Sequence, residues 1–123
     1  MENEMENEIQ NDTKKVLAFY YPWYRSKLDE YFHWENVDKE NHKIGSSYNY
    51  PKLGAYDSTD KKVIRKHIKW AKSAGIDGFV VSWWGIATLE DEAFSNVVEV
   101  ANKLNFSITV YLEKVFFRKV ETA

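Results

Sequence analysis

Apolar residues run along this chain in two alternating rhythms. Short, nearly unbroken apolar runs stand at Lys15-Val-Leu-Ala-Phe-Tyr20, Gly78-Phe-Val-Val-Ser-Trp83 and Ser107-Ile-Thr-Val-Tyr-Leu-Glu113. Each is bounded by polar sequence and rich in β-branched or aromatic residues, which predicts strands. The first two read as buried strands with both faces covered, as in a parallel sheet. Between the runs the period changes to that of a helix. Over Lys61–Ala74 the positions Ile64, Ile68 and Ala71 form one stripe at i, i+4 and i+7, with Val63 and Trp70 beside it. Asp60 stands at the N-cap, and Gly75 sits where a helix ends on a left-handed residue. A second helix opens at Thr88, with Asp91 three residues on in the spacing of a weak capping box. It continues through Phe94, Val97, Val98, Ala101 and Leu104 and closes near Asn105.

The order is therefore β-α-β-α-β, and strands joined by helices of this length are parallel. The fold class is α/β. An open doubly wound sheet and a (β/α) barrel both begin this way. The turn after the first strand, Tyr21-Pro-Trp-Tyr24, holds no G-x-G-x-x-G, so a dinucleotide fold is not favoured.

Three domain segments follow from the same pattern. Residues 1–14 are acidic and aperiodic, with a duplicated Met-Glu-Asn-Glu, and read as a disordered tail. Residues 15–113 form one folded unit. Residues 114–123 are a short, atypical tail in which Phe116, Phe117 and Val120 add apolar surface near the third strand. Within the unit, residues 21–59 keep no period, apart from a short helical turn predicted at Leu28–His33. A loop this long inside a domain is usually functional.

Composition narrows the function. The 123 residues carry a net charge of -2, which gives no overall basic field for nucleic acid. No apolar run nears the ~20 residues of a membrane span. No signal peptide is visible, which places the chain as given in the cytoplasm, with a recloned secreted protein as the alternative. The absence of cysteine excludes disulfides and thiolate metal sites, and no His/Asp/Glu spacing suggests a metal centre. No cofactor motif appears.

Aromatic residues make up 16% of the chain, with five Trp and eight Tyr. They concentrate at the carboxyl ends of the strands and in the first loop, where parallel α/β proteins bind ligands. Tyr21, Trp23 and Tyr24 follow the first strand, Trp83 and Trp84 end the second, and Glu113 ends the third; His33 and Trp34 lie in the loop. Rings beside hydroxyl-binding polar groups suit a sugar, whose C–H face stacks on them. Glu113 is a candidate acid, base or hydroxyl acceptor. It has no evident carboxylate partner, whereas glycoside hydrolysis normally uses two. Asp57 and Asp60 read as turn and cap residues, His67 as a partly exposed helix residue, and His42 as exposed loop.

Six strings then stand in order. They are Phe19-Tyr-Tyr-Pro-Trp-Tyr24, His33-Trp34, Tyr50-Pro-Lys-Leu-Gly-Ala-Tyr-Asp57, Ala74-Gly-Ile-Asp-Gly-Phe79, Ser82-Trp-Trp84 and Thr109-Val-Tyr-Leu-Glu113. Together they resemble the N-terminal part of glycoside hydrolase family 99, the endo-α-mannosidase and endo-mannanase family, and its WbsX-type relatives in polysaccharide biosynthesis. The resemblance implies a (β/α)8 TIM-type barrel that cleaves α-mannosidic linkages within a glycan, with retention and without a metal. It implies Tyr21, Tyr24 and Trp83 as substrate contacts and Glu113 as an auxiliary group in the same pocket. The family's catalytic carboxylate pair comes from a later motif that these residues do not contain. Where the family continues with Pro and an aromatic, this chain has Lys114-Val115, so the pattern fades after Glu113.

The reading is thus of a barrel cut after its third strand, binding an oligo- or polysaccharide but inactive by itself. The open edge suggests self-association or a complementing C-terminal fragment. A non-catalytic carbohydrate-binding or assembly module, or a biosynthetic relative, is the alternative.

Overall fold

A computed structural model describes residues 14–27 and 30–114. Its frame is a three-stranded parallel sheet of β1 (Leu17–Tyr20), β6 (Gly78–Trp83) and β7 (Ser107–Leu112), with β6 in the middle. Two helices, α1 (Lys61–Ser73) and α2 (Leu89–Lys103), make the connections between these strands. The long segment after β1 contains two small antiparallel hairpins. One pairs β2 (Arg25–Lys27) with β3 (Glu30–Phe32), and the other pairs β4 (Val37–Asp38) with β5 (Lys43–Ile44). The helical turn expected at Leu28–His33 is therefore corrected, because Glu30–Phe32 pair as a strand with Arg25–Lys27. The acidic tail through residue 13 and the apolar tail residues Phe116, Phe117 and Val120 lie outside the described residues.

The register explains the packing. Ala18 aligns with Phe79 and Ile108, and Tyr20 with Val81 and Val110, all on one face of the sheet. Both helices cover that face. Ile64, Ile68 and Ala71 of α1 and Val97, Val100 and Ala101 of α2 close over Phe79, Val81 and Phe106 to form the core. Gly78 starts β6 where strands crowd, since a Cβ there would lie 2.5 Å from the Ser107 carbonyl oxygen. The caps fall at the expected residues. Asp60 accepts from the Lys62 amide, Thr88 accepts from the Asp91 amide, and Gly75 is left-handed at φ +83°. Trp70 and Val98 depart from the predicted stripes and turn outward, while Ala93 and Val100 take the buried places on α2.

The opposite face is where the expectation of doubly covered strands fails. Leu17 and Phe19 on β1 and Tyr111 on β7 point to that side, at 46%, 59% and 48% exposure. No described element packs over them, because both crossovers return on the other face. No described helix is long and apolar enough to cross a membrane.

Candidate functional site

Strand alternation places the chemistry. Odd-numbered residues of β1 and β7 and even-numbered residues of β6 share the uncovered face. Phe19, Tyr21, Val80, Ser82, Thr109, Tyr111 and Glu113 therefore line one side of the sheet near its carboxyl end. The contacts agree. Phe19 meets Tyr111 edge-on at 5.7 Å between ring centroids and stacks with Tyr21 at 6.5 Å. The Glu113 amide donates to the Trp83 carbonyl at 3.0 Å, which carries the β6–β7 ladder one residue past β7.

Glu113 sits at the end of a hydrogen-bond chain. The Trp84 indole N–H lies 3.1 Å from Ser82 Oγ, and Ser82 Oγ lies 2.9 Å from Glu113 Oε1. An indole nitrogen can only donate. Ser82 Oγ must accept that bond, so its one proton is directed to Glu113. Glu113 Oε1 is then an acceptor. No donor among the described residues reaches the other oxygen.

The predicted aromatic contacts divide into two groups. Tyr21 is 43% exposed and lies 4.9 Å from Trp23, which also stacks with His33 at 5.0 Å and meets Tyr24 edge-on at 6.4 Å. His33 is held at φ +62°. With Trp84, this group is open to solvent on the strand-end side. Trp34 belongs to the second group. It is 6% exposed, donates its indole N–H to the Tyr56 carbonyl at 2.7 Å, and stacks on Tyr24 at 4.2 Å. It is a buried support for Tyr24 and presents no face to a ligand. Trp83 points to the helix side and donates to Asp91 Oδ1 at 3.0 Å. The other Asp91 oxygen accepts from the Ala87 amide, so Asp91 fastens the β6–α2 turn instead of closing a capping box.

The loop is held by a buried polar segment, Asp57-Ser58-Thr59. Ser58 Oγ accepts from the Tyr24 amide, the Ser58 amide donates to the Tyr24 carbonyl, and Asp57 accepts from the Ser26 amide. Burial pushes the Asp57 carboxyl up, but the bonds from Thr59 and Ser26 and the charge of Arg25 outweigh it, leaving its pKa below the usual value. Asn96 on α2 donates to the Thr59 carbonyl and ties this segment to the helices.

His67 differs from its reading as a plain helix residue. Its Nδ1 lies 2.7 Å from the Tyr20 hydroxyl, and its ring meets Tyr56 edge-on at 4.8 Å. Burial, with Tyr56 adding to it, pushes the Tyr20 hydroxyl far up, and burial lowers the His67 pKa. Tyr20 therefore keeps its proton, and which of the two groups donates in its bond with His67 is set by the imidazole tautomer. Burial, with Tyr24 adding to it, also raises Tyr56 to about 12. These groups brace the loop from beneath.

Ser82, Tyr111 and Phe19 were not singled out from sequence. The signal was present as strand parity, since each stands an even number of aligned positions from Glu113 on the shared face. A cavity of about 610 Å3 lies away from the strand ends, among Tyr31, Asp38, Lys43, Ile44 and Tyr50. Among the described residues no cluster of three His, Cys, Asp or Glu could hold a metal ion.

The parallel α/β frame, with aromatics and a carboxylate at its strand ends, is one that this chain shares with a family of glycoside hydrolases. The profile of Glycosyl hydrolase family 99 matches residues 11–123. The chain belongs to that family. It is 34% identical to the rat (Rattus norvegicus) glycoprotein endo-alpha-1,2-mannosidase over 80% of this chain and 26% of that protein. It is 30% identical to a human (Homo sapiens) glycoprotein endo-alpha-1,2-mannosidase-like protein over 78% of this chain and 26% of that protein. A solved family 99 endo-alpha-mannosidase from Bacteroides thetaiotaomicron superposes with a TM-score of 0.68 at 30% identity, covering 84% of this chain and 30% of that one. The chain spans under a third of the length of these relatives.

Proposed function

We propose that this chain supplies the first three strands of a (β/α)8 glycosidase acting within glycans on α-mannosidic or similar linkages, and that its share of the work is to bind sugar. The observation that carries this reading is the Trp84–Ser82–Glu113 chain on the open sheet face, beside Tyr21 and Tyr111. Rings stack on the sugar, while Glu113, oriented by Ser82, accepts a hydrogen bond from a sugar hydroxyl through its unengaged oxygen. That contact raises the basicity of the hydroxyl oxygen without transferring a proton to the leaving group.

Cleavage needs a second carboxylate across the bond. At the three strand ends Glu113 stands alone among the described carboxylates, since Asp57 and Asp91 are engaged in turns. The acid/base pair and five further βα units are then contributed by polypeptide outside these residues. Two observations support this, the outer edges of β1 and β7, which pair with no strand among the described residues, and the greater length of the relatives. The lone carboxylate equally favours a second reading, in which the chain is a carbohydrate-binding module.

Titration with α-1,2-mannobiose tests the proposal. The expected result is weak binding without hydrolysis, reduced at least tenfold in Glu113→Gln and in Trp84→Ala. Hydrolysis by the chain alone, or binding unchanged in both variants, would overturn it.

A further inference from the structure

The net charge of -2 conceals a local concentration of positive charge. Helix α1 reads Lys-Lys-Val-Ile-Arg-Lys-His-Ile-Lys-Trp-Ala-Lys-Ser, with six Lys or Arg and no carboxylate in its 13 residues. Ile64, Ile68 and Ala71 are buried against the sheet, so the orientation of the helix is fixed and its cations face outward. Two of the six are engaged. Lys61 pairs with Glu99 at 2.5 Å, and Lys72 donates to the Leu104 carbonyl at 2.6 Å. The other four, Lys62, Arg65, Lys66 and Lys69, have no carboxylate within ion-pair distance among the described residues. Several stand three or four positions apart, where like charges repel along a helix.

These four side chains line one recess of about 450 Å3, and the fifth residue of its wall is Trp70. Trp70 is 42% exposed, although its position beside the apolar stripe would have allowed it to pack inward. Lys52, from the long loop, brings another cation to 6.0 Å from its ring centroid. The recess lies on the outer side of α1, across the sheet from Glu113.

We propose that this recess is an accessory site for an anionic saccharide, a sugar carrying carboxylate, sulfate or phosphate. The Trp70 ring takes the apolar face of one sugar unit, as rings do for neutral sugars. Lys62, Arg65, Lys66 and Lys69 take the anionic groups, and the bound anion relieves the repulsion among them. A single ring fits a sugar of one or two units. Duplex nucleic acid or a lipid surface would call for a broader, flatter field of charge. The inference stands on α1 and Trp70 and does not depend on the role given to Glu113.

The test uses the full chain and follows the α1 amides by nuclear magnetic resonance. The probes are a heparin-derived tetrasaccharide, a tetragalacturonate, inorganic phosphate and neutral α-1,2-mannobiose. The expected result is that one or both anionic tetrasaccharides shift the α1 amides, with affinity falling at least tenfold in Lys66→Gln/Lys69→Gln and at least threefold in Trp70→Ala. Affinity should also drop on raising salt from 50 to 300 mM, as charge screening requires. Mannobiose binding should be the same in wild type and the lysine variant, which separates this site from the strand-end site. No shift on α1 would overturn the proposal. So would affinity indifferent to Trp70, phosphate binding as tightly as the tetrasaccharides, or tighter binding to duplex DNA or to phosphatidylserine vesicles.

Discussion

The two faces of the three-stranded sheet carry similar residues and have opposite roles. On the helix side, Ala18, Tyr20, Phe79 and Val81 are packed under α1 and α2, and the polar atoms there are paired. On the other side Leu17, Phe19, Tyr21 and Tyr111 remain open, and the one buried polar side chain, Ser82, serves a carboxylate. Aromatic content alone does not distinguish them. The difference lies in whether a crossover helix returns to cover the strand. The first face holds the fold together, and the second stays uncovered among the described residues.

The sharpest way to break this comparison is to cut into both faces. Ile68→Ala, beneath the sheet, should cost about 2–5 kcal/mol, the usual range for a buried aliphatic truncation. Phe19→Ser, on the open face, should cost less than about 1 kcal/mol, because little of its surface leaves water on folding. Denaturant unfolding of the two variants measures this, and equal losses would mean that the open face is covered in solution. Sedimentation shows by what: if copies associate through that face, Phe19→Ser should lower the apparent mass at high concentration.

A middle-sized effect concerns the support of the loop. Asp57→Ala leaves the Ser26 and Thr59 amides without an acceptor, which should destabilise by about 1–3 kcal/mol. Chemical shifts of Tyr24 and Trp34 should move in the same variant, while those of β7 should not.

The smallest effect is with pH. Burial lowers the His67 pKa, so its neutral form is favoured in the fold. That contribution is fully present above the unfolded value of about 6.5 and is lost as pH falls through the lower folded value. Stability should decline on acidification below about pH 6.5, with a shallower decline in His67→Gln. An unchanged slope would remove His67 from the bracing role.

Much of the frame was legible because its signals are local. The bounds of β6, the caps Asp60 and Thr88 and the stripe Ile64–Ile68–Ala71 need only neighbours in sequence. The faces were harder, because an apolar run such as Val16–Tyr20 looks the same whether one side of the strand is covered or both. Trp23 and Trp34 show the same limit. Both stand in one aromatic loop, yet Trp34 is buried because Tyr56, 22 residues on, offers it a carbonyl, and no local pattern foretells that. Asp57-Ser58-Thr59 reads as a polar turn and becomes a buried anchor only through Tyr24, Ser26 and Asn96. The catalytic side of the expectation, Glu113 at a strand end, was legible in position, whereas its orientation by Ser82 and Trp84 required the strand register.

The most direct measurement is a residue-by-residue map of the chain titrated with α-1,2-mannobiose. The account predicts shifts at Tyr21, Ser82, Trp84, Tyr111 and Glu113, with Ile68, Val81 and Val97 unmoved. Shifts confined to the helix side or to the loop cavity around Tyr31 and Tyr50, or none at all, would contradict it.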